Sequence, residues 1–151
     1  MSTLRVVPAS PEPLTEDVGQ TSAVAKMLAR ARLGWVRLSP VQAVQAQAGG
    51  ALLIDVRTSE QRHQDGEIPG AVVIDLTVLE WRLDPTSPDR IPEVDSRSSL
   101  VLICRQGYSS SLAVARLRAL GLRWVTDVIG GVEAWSAAGL PLGCGPADER
   151  P

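Results

Sequence analysis

The sequence has few aromatic residues and few cysteines. Its 151 residues contain no Phe, one Tyr and four Trp, so we expect a core built from Ala, Val, Leu and Ile. Its two cysteines, Cys104 and Cys144, are fewer than a small disulfide-stabilised scaffold normally carries. This scarcity favours a reduced, cytoplasmic protein without structural disulfides.

Further absences exclude whole classes of function. The formal net charge is −2, so the chain lacks the basic footprint on which nucleic-acid binding depends. No apolar run approaches the roughly 20 residues of a membrane span, and we expect no membrane partner. No cluster of His, Cys, Asp or Glu has metal-ligand spacing, and there is no glycine-rich nucleotide loop. We therefore expect neither a metal nor a cofactor.

The chain divides into a tail, a helix, a domain and a second tail. Residues 1–20 contain several prolines and little apolar periodicity, which is typical of a flexible N-terminal tail. Residues 21–35 have apolar side chains at helical spacing and predict an N-terminal helix. Residues 36–142 carry the elements of one domain. The last residues, 143–151, predict an unstructured C-terminal tail.

Within the domain, short apolar runs alternate with loops and helix-like segments. Four runs have the length of strands: ALLIDV (51–56), AVVID (71–75), LVLIC (100–104) and WVTDVI (124–129). The segment WVRLSP (35–40) predicts a further short strand and then a helix start at Ser39 and Pro40. Because the runs show no two-residue alternation, they suit strands covered on both faces. The pattern predicts an α/β fold with a parallel sheet, and residues 83–99 predict an irregular loop.

The segment CRQGYSSS (104–111) places a cysteine at the end of a predicted strand. In an open parallel sheet, ligands bind beyond the carboxyl ends of the strands. A helix follows Cys104 closely, and Gly107 permits unusual backbone angles, so several N–H groups can converge on an anion. A thiol in such a loop would have a lowered pKa and act as a nucleophile. A buried cysteine that only packs explains the local pattern equally well.

Three segments, in order, resemble the rhodanese (sulfurtransferase) family. LLIDVRTSEQRHQDGEIPGAVVID (52–75) is similar to its first signature, and LVLICRQGYSSSLAVARLRALG (100–121) to its catalytic strand, loop and helix. VTDVIGGVEAWSAAGLPL (125–142) is similar to its closing segment. The resemblance implies an α/β fold consisting of a single rhodanese-like domain, with a five-stranded, mostly parallel sheet and helices on both faces.

The resemblance also implies a chemistry for Cys104. This residue would take a sulfane sulfur from an anionic, thiosulfate-like donor as a persulfide and pass it to cyanide or a thiol. The implied substrate-binding residues follow it directly: Arg105, Gln106, Gly107, Tyr108, Ser109 and Ser110. Related phosphatases have an arginine after five intervening residues. This chain has Ser110 there, which disfavours phosphatase or arsenate reductase chemistry.

Four residues bear on the choice of donor and on the mouth of the site. Thiosulfate-preferring relatives often have Lys at the third loop position, where this chain has the neutral Gln106. Arg82 is a candidate to replace that charge, with a surface ion pair as the alternative. Asp55 and Arg57 resemble a strand-end pair of the family, and we interpret them mainly as structural, with ligand contact as the alternative.

The implied partners are a small-molecule sulfur donor and a thiol or cyanide acceptor, with an acceptor protein as a further candidate. An alternative function is a rhodanese-like sulfur-carrier or protein-binding module that does not turn over. We interpret Cys144 as incidental, with a resolving thiol as the alternative.

Overall fold

The structure, a computed structural model, describes residues 21–151. The predicted tail at residues 1–20 lies outside this part of the chain. The helices of the described residues are α1 (Ala23–Ala31), α2 (Pro40–Ala48), α3 (Ser59–Asp65), α4 (Leu79–Leu83), α5 (Ser109–Ala119) and α6 (Gly131–Ala137). The strands are β1 (Leu52–Asp55), β2 (Val72–Val73), β3 (Leu100–Ile103), β4 (Val125–Asp127) and β5 (Asp148–Glu149).

The strands form one sheet in the order β4-β3-β1-β2-β5, and every pair of neighbours is parallel. At its centre, β1 and β3 pair from Leu52 with Leu100 to Asp55 with Ile103. The carboxyl ends of these two strands therefore lie side by side at one edge of the sheet. The predicted α/β fold with a five-stranded parallel sheet is confirmed.

One of the five strands is not where the sequence predicts it. In the segment 35–40, Leu38 forms only an isolated bridge, to Val128. The fifth strand is instead β5, inside the C-terminal segment for which the sequence predicts no structure. The N–H of Arg150 extends this pairing by donating to the carbonyl of Val73 at 2.9 Å. A strand of two acidic residues has no apolar signal, and it forms because β2 otherwise leaves the edge of the sheet open.

Helices cover both faces of the sheet, because successive side chains of a strand point to opposite sides. On one face, Ile54 and Leu102 pack in a cluster that includes Val114 of α5. On the other face, Leu53 and Ile103 belong to a second cluster with Trp135 of α6. Trp135 is the single aromatic side chain in the buried core of the described residues, so the expected aliphatic core is confirmed.

The helix starts differ in a way that matters for the site. Ser39 caps α2 and Thr58 caps α3, each in a capping box with a glutamine three residues later. No side chain caps α5, which begins directly after the cysteine loop. Its first N–H groups therefore remain available to another acceptor. No helix between residues 21 and 151 is long and apolar enough to cross a membrane.

Candidate active site

Cys104 directly follows β3 and is only 4% exposed. Its carbonyl accepts a hydrogen bond from the N–H of Val132 at 2.9 Å, and the carbonyl of Arg105 accepts one from Glu133 at 3.0 Å. Both donors lie in the first turn of α6. These two bonds anchor the first residues of the cysteine loop to a helix on one face of the sheet.

The sulfur of Cys104 is surrounded by polar groups of its own loop and of the first turn of α5. The N–H of Gly107 donates to the sulfur at 3.1 Å, and the N–H of Ser110 donates at 3.4 Å. The hydroxyl oxygen of Ser110 lies 3.1 Å from the same atom. A cysteine that only packed in the core would not collect three polar contacts on its sulfur.

These contacts determine the acidity of the thiol. Burial by itself raises the pKa of Cys104, but hydrogen bonds outweigh it and lower the pKa below its usual value. The donors are the hydroxyls of Ser110 and Ser109 and the backbone N–H groups of Ser110 and Gly107. Because the thiolate is the nucleophilic form of cysteine, this arrangement activates the sulfur.

A cavity of about 390 Å³ opens next to the sulfur. Its walls come from the ends of neighbouring strands and from the cysteine loop: Val56, Thr58, Gln61, Leu76, Cys104, Arg105, Gln106, Tyr108 and Ser109. Arg105 is the one residue among them with an ionic side chain at neutral pH. The cavity therefore has room for a small donor and offers it mostly neutral walls.

A larger cavity, of about 860 Å³, lies elsewhere, around Trp35 and Trp124 at the amino ends of β3 and β4. Its lining residues include no cysteine, and it lies at the edge of the sheet opposite Cys104. We assign the site to the smaller cavity because the activated sulfur lies there.

The predicted loop residues lie together, with distinct surroundings. Gly107 has φ +85°, and an added Cβ would lie 2.8 Å from the backbone nitrogen of Gly130, so this position requires glycine. The Nε of Arg105 lies 3.2 Å from a carboxylate oxygen of Asp65, although the two do not form a hydrogen bond. The side-chain amide of Gln106 donates to Glu133 at 3.2 Å.

A family model for the rhodanese-like domain matches residues 39–138. The chain belongs to the rhodanese-like domain family. The thiosulfate sulfurtransferase GlpE of Pseudomonas savastanoi pv. phaseolicola is 36% identical over 101 residues, which cover 67% of this chain and 87% of that protein.

Two further proteins are similar to this rhodanese-like domain. The maize adenylyltransferase and sulfurtransferase MOCS3-1 is 38% identical over 84 residues, which cover 56% of this chain but only 18% of that longer protein. A solved structure from Rhodopseudomonas palustris, of a protein of unknown function described as a possible tyrosine phosphatase, matches with a TM-score of 0.72 and 29% identity. It covers 87% of this chain, and the match spans 99% of that structure.

Asp55 and Arg57 form a buried ion pair in the rhodanese-like domain. The Nη2 of Arg57 donates to a carboxylate oxygen of Asp55 at 2.8 Å and to the carbonyl of Gly66 at 2.8 Å. Neither residue lines the cavity beside Cys104. The pair ties the end of β1 to the turn after α3.

Arg82 does not supply the missing charge. Its guanidinium donates to the carbonyl of Asp89 at 2.9 Å and to the carbonyl of Pro151, and it does not line the cavity. The structure does not bring Arg82 to the cavity beside Cys104, and among the described residues its guanidinium forms no ion pair with Asp84 or Glu80. The C-terminal segment passes close to α4 and accepts this side chain instead.

The sequence analysis missed Asp127, the fully buried last residue of β4, and its contacts with the cysteine loop. Its carboxylate accepts from Ser110 Oγ at 2.8 Å and from Ser111 Oγ at 2.7 Å. Arg37 holds the same carboxylate, with Nε 2.7 Å from one oxygen. The sequence offers one signal, an acidic residue inside an apolar strand, because a buried charge needs partners. Ser110 therefore serves Asp127 and the sulfur rather than capping α5.

Proposed function

We propose that this rhodanese-like domain is a sulfurtransferase that moves a sulfane sulfur through a persulfide on Cys104. The observation that carries the proposal is the convergence of Gly107, Ser110 and the start of α5 on the cysteine sulfur. The same donors that stabilise a thiolate would stabilise the anionic outer sulfur of a persulfide. The sulfurtransferase names of the relatives support this class of reaction.

The reaction would proceed in two half-reactions. The Cys104 thiolate attacks the outer sulfur of a thiosulfate-like donor, a new S–S bond forms, and the donor's S–S bond breaks. The electron pair of that bond leaves with sulfite. Cyanide or a thiolate then attacks the outer sulfur of the persulfide, and the breaking S–S bond returns its electron pair to Cys104 as a thiolate. The products of the second step are thiocyanate or a new persulfide.

The surroundings of the loop favour a second candidate as well, a sulfur-carrier or protein-binding module. The one ionic side chain of the cavity, Arg105, already lies beside Asp65, and Gln106 is bonded to Glu133. A small anionic donor would meet backbone N–H groups there, and among the described residues Arg105 is the only cation that lines the cavity. A protein partner that brings its own contacts would depend less on such a charge.

Phosphatase chemistry is not favoured by this site, despite the description of the Rhodopseudomonas structure. Five residues separate Cys104 from Ser110, which stands where phosphatases have their arginine. Ser110 is buried, and its hydroxyl donates to Asp127. Its side chain carries no charge with which to bind a phosphate.

The experiment is sulfur transfer from thiosulfate to cyanide by the wild type, Cys104→Ser and Cys144→Ser. Cys144 is the exposed second cysteine and provides the matched control. We expect the wild type and Cys144→Ser to form thiocyanate and Cys104→Ser to form none. Equal activity in all three proteins would contradict the mechanism. A wild type that takes up one sulfur atom on Cys104 but forms no thiocyanate would favour the carrier module.

A further inference from the structure

Two arginines that precede the family-matched residues converge on the cysteine loop. Arg32 follows α1, and Arg37 lies just before the match, which begins at residue 39. The Nη2 of Arg32 donates to the carbonyl of Gly107 at 2.8 Å, and the Nη2 of Arg37 donates to the same carbonyl at 3.0 Å. Arg32 also donates through Nε to Ser111 Oγ at 3.0 Å.

These bonds fix the orientation of one peptide group in the loop. In a planar trans peptide, the carbonyl and the following N–H point in opposite directions. Because the carbonyl of Gly107 is held by the two guanidinium groups, the N–H of Tyr108 points away from them. The outer side of the loop is therefore lined with arginine, and the opposite side presents N–H groups.

The charges on this outer side do not cancel. Arg37 is paired with the carboxylate of Asp127 through Nε and Nη2. In the part of the chain that the structure describes, no such ion pair joins Arg32 to a carboxylate, and its two hydrogen-bond acceptors are neutral. Among the described residues, the two guanidinium groups and the one carboxylate leave a net charge of one positive unit behind the loop.

Other ionisable groups lie around the cysteine loop and the ends of the neighbouring strands, and two pairs of opposite charge occur among them, Arg105 with Asp65 and Asp55 with Arg57. The groups are Arg105 and Tyr108 of the loop, Asp65 of α3, Asp127 of β4, Glu133 of α6, and the Asp55–Arg57 pair at the end of β1. Arg105 lies beside Asp65, and Glu133 accepts from Gln106. Arg37, Arg57 and Arg105 each lie beside a carboxylate. Arg32, by contrast, has no carboxylate partner among the described residues.

We propose that Arg32 is a positioning residue that stabilises the anionic sulfur of Cys104 from behind the loop, which extends the site beyond the family-matched domain. The inference rests on the proposed function for its meaning in catalysis, because a persulfide carries the same charge as a thiolate. Arg32 acts through Gly107 and Ser111 and by its charge, without touching the substrate. It provides the charge for which the sequence suggests Arg82.

The electrostatic interaction between Arg32 and the Cys104 anion supports this proposal. Burial and, next, the charge of Arg37 lower the pKa of Arg32 below its usual value, and Asp127, Tyr108 and the Cys104 anion offset part of this effect, the Cys104 anion least. An electrostatic interaction acts equally on both partners, so the guanidinium that the Cys104 anion stabilises must stabilise that anion in turn.

The test compares Arg32→Gln, Arg32→Lys and Arg30→Gln in the full chain. Arg30 is an exposed arginine in the last turn of α1 and is the matched control. The measurement is the rate of alkylation by iodoacetamide between pH 5 and pH 9.5, read by mass on the peptide that carries Cys104. This readout needs no sulfur donor, so it separates failure of this inference from failure of the proposed function.

We expect Arg32→Gln to raise the pH midpoint and to slow alkylation at neutral pH about threefold to tenfold. Arg32→Lys keeps the charge and should restore most of the rate, and Arg30→Gln should match the wild type. A midpoint in Arg32→Gln equal to that of Arg30→Gln would overturn the inference, and so would equal rises in the Gln and Lys variants. If thermal unfolding shows that Arg32→Gln does not fold, Arg32→Met, which keeps the apolar stem, is measured with the same expectations.

Discussion

The hydroxyl of Ser110 lies 3.1 Å from the sulfur of Cys104 and donates to Asp127 at 2.8 Å. One hydroxyl therefore connects the nucleophile to a buried carboxylate. When Cys104 is a thiol, its S–H can donate to Ser110, which in turn donates to Asp127. When the sulfur is an anion, the hydroxyl can turn towards it, and Asp127 keeps its bonds from Ser111 and Arg37.

Ser110→Ala should raise the pKa of Cys104, because it removes a donor that holds this pKa low. In the wild type the thiolate persists to lower pH than for an ordinary cysteine, and reactivity should fall as the pH drops through the lowered pKa. At neutral pH we expect alkylation of Cys104 to slow about threefold to tenfold in the variant. Ser136→Ala, which removes a hydroxyl from an exposed position of α6 that does not line the cavity, is the matched control. An equal shift in both variants would contradict a direct role for Ser110.

Asp127→Asn should destabilise the fold by about 2 kcal/mol or more, because it leaves the guanidinium of Arg37 largely buried without its counter-charge. The matched control is Glu80→Gln, which breaks an ion pair with Arg116, whose side chain is 51% exposed. This change should cost less than about 1 kcal/mol. The measurement is the free energy of unfolding in urea. If the two variants lost similar free energies of unfolding, the contacts of Asp127 with Arg37, Ser110 and Ser111 would stabilise the fold no more than an exposed ion pair does.

Much of the fold could be predicted because the buried strands are apolar and short. The runs that contain β1 to β4 are visible in the sequence, and the motif around Cys104 identifies the loop. β5 could not be predicted, since Asp148 and Glu149 pair through the backbone and their exposed side chains carry no strand pattern. Edge pairing of this kind depends on where β2 ends, which only the folded chain determines.

The surroundings of the loop could not be predicted for a different reason. Arg37 and Asp127 are 90 residues apart in the sequence, and Arg32 and Ser111 are 79 apart. In the sequence, charged side chains such as Arg32 and Arg37 are compatible with any exposed surface. Arg82 is the opposite case. Its position after β2 suggests that it reaches the site, but its side chain donates to the carbonyls of Asp89 and Pro151.

Gly131→Ala should disrupt the junction between α6 and the cysteine loop. An added Cβ would overlap the carbonyl oxygen of Cys104 and lie 2.7 Å from the backbone of Arg105, and neither of these backbone groups can yield easily. We expect a loss of at least about 2 kcal/mol in the free energy of unfolding and slower reaction of Cys104. Gly139 has φ +72° and open space around it, so Gly139→Ala should cost only the backbone strain, about 1 kcal/mol. Unfolding in urea measures both, and equal losses would contradict a steric role for Gly131.

Removal of residues 143–151 should weaken the sheet edge while leaving the nucleophile intact. The deletion removes β5 and the partner of Arg62 at Glu149, 2.6 Å away, although Arg62 keeps Glu67. We expect the free energy of unfolding to fall by about 2 kcal/mol, as measured in urea, and Cys104 to react at its normal rate because this segment does not line its cavity. Cys144→Ser, a change within the same segment, should have the stability of the wild type. Unchanged stability of the truncated chain would show that β5 contributes nothing to the fold.

The most direct test of the central claim is the mass of the Cys104 peptide after the protein is incubated with a sulfur donor. Thiosulfate, mercaptopyruvate and glutathione persulfide are used in parallel, and each sample is then treated with cyanide. The account predicts that at least one donor adds a single sulfur atom to Cys104 and that cyanide removes it. No added sulfur with any of the three donors, or sulfur on Cys144 alone, would contradict a persulfide mechanism at Cys104.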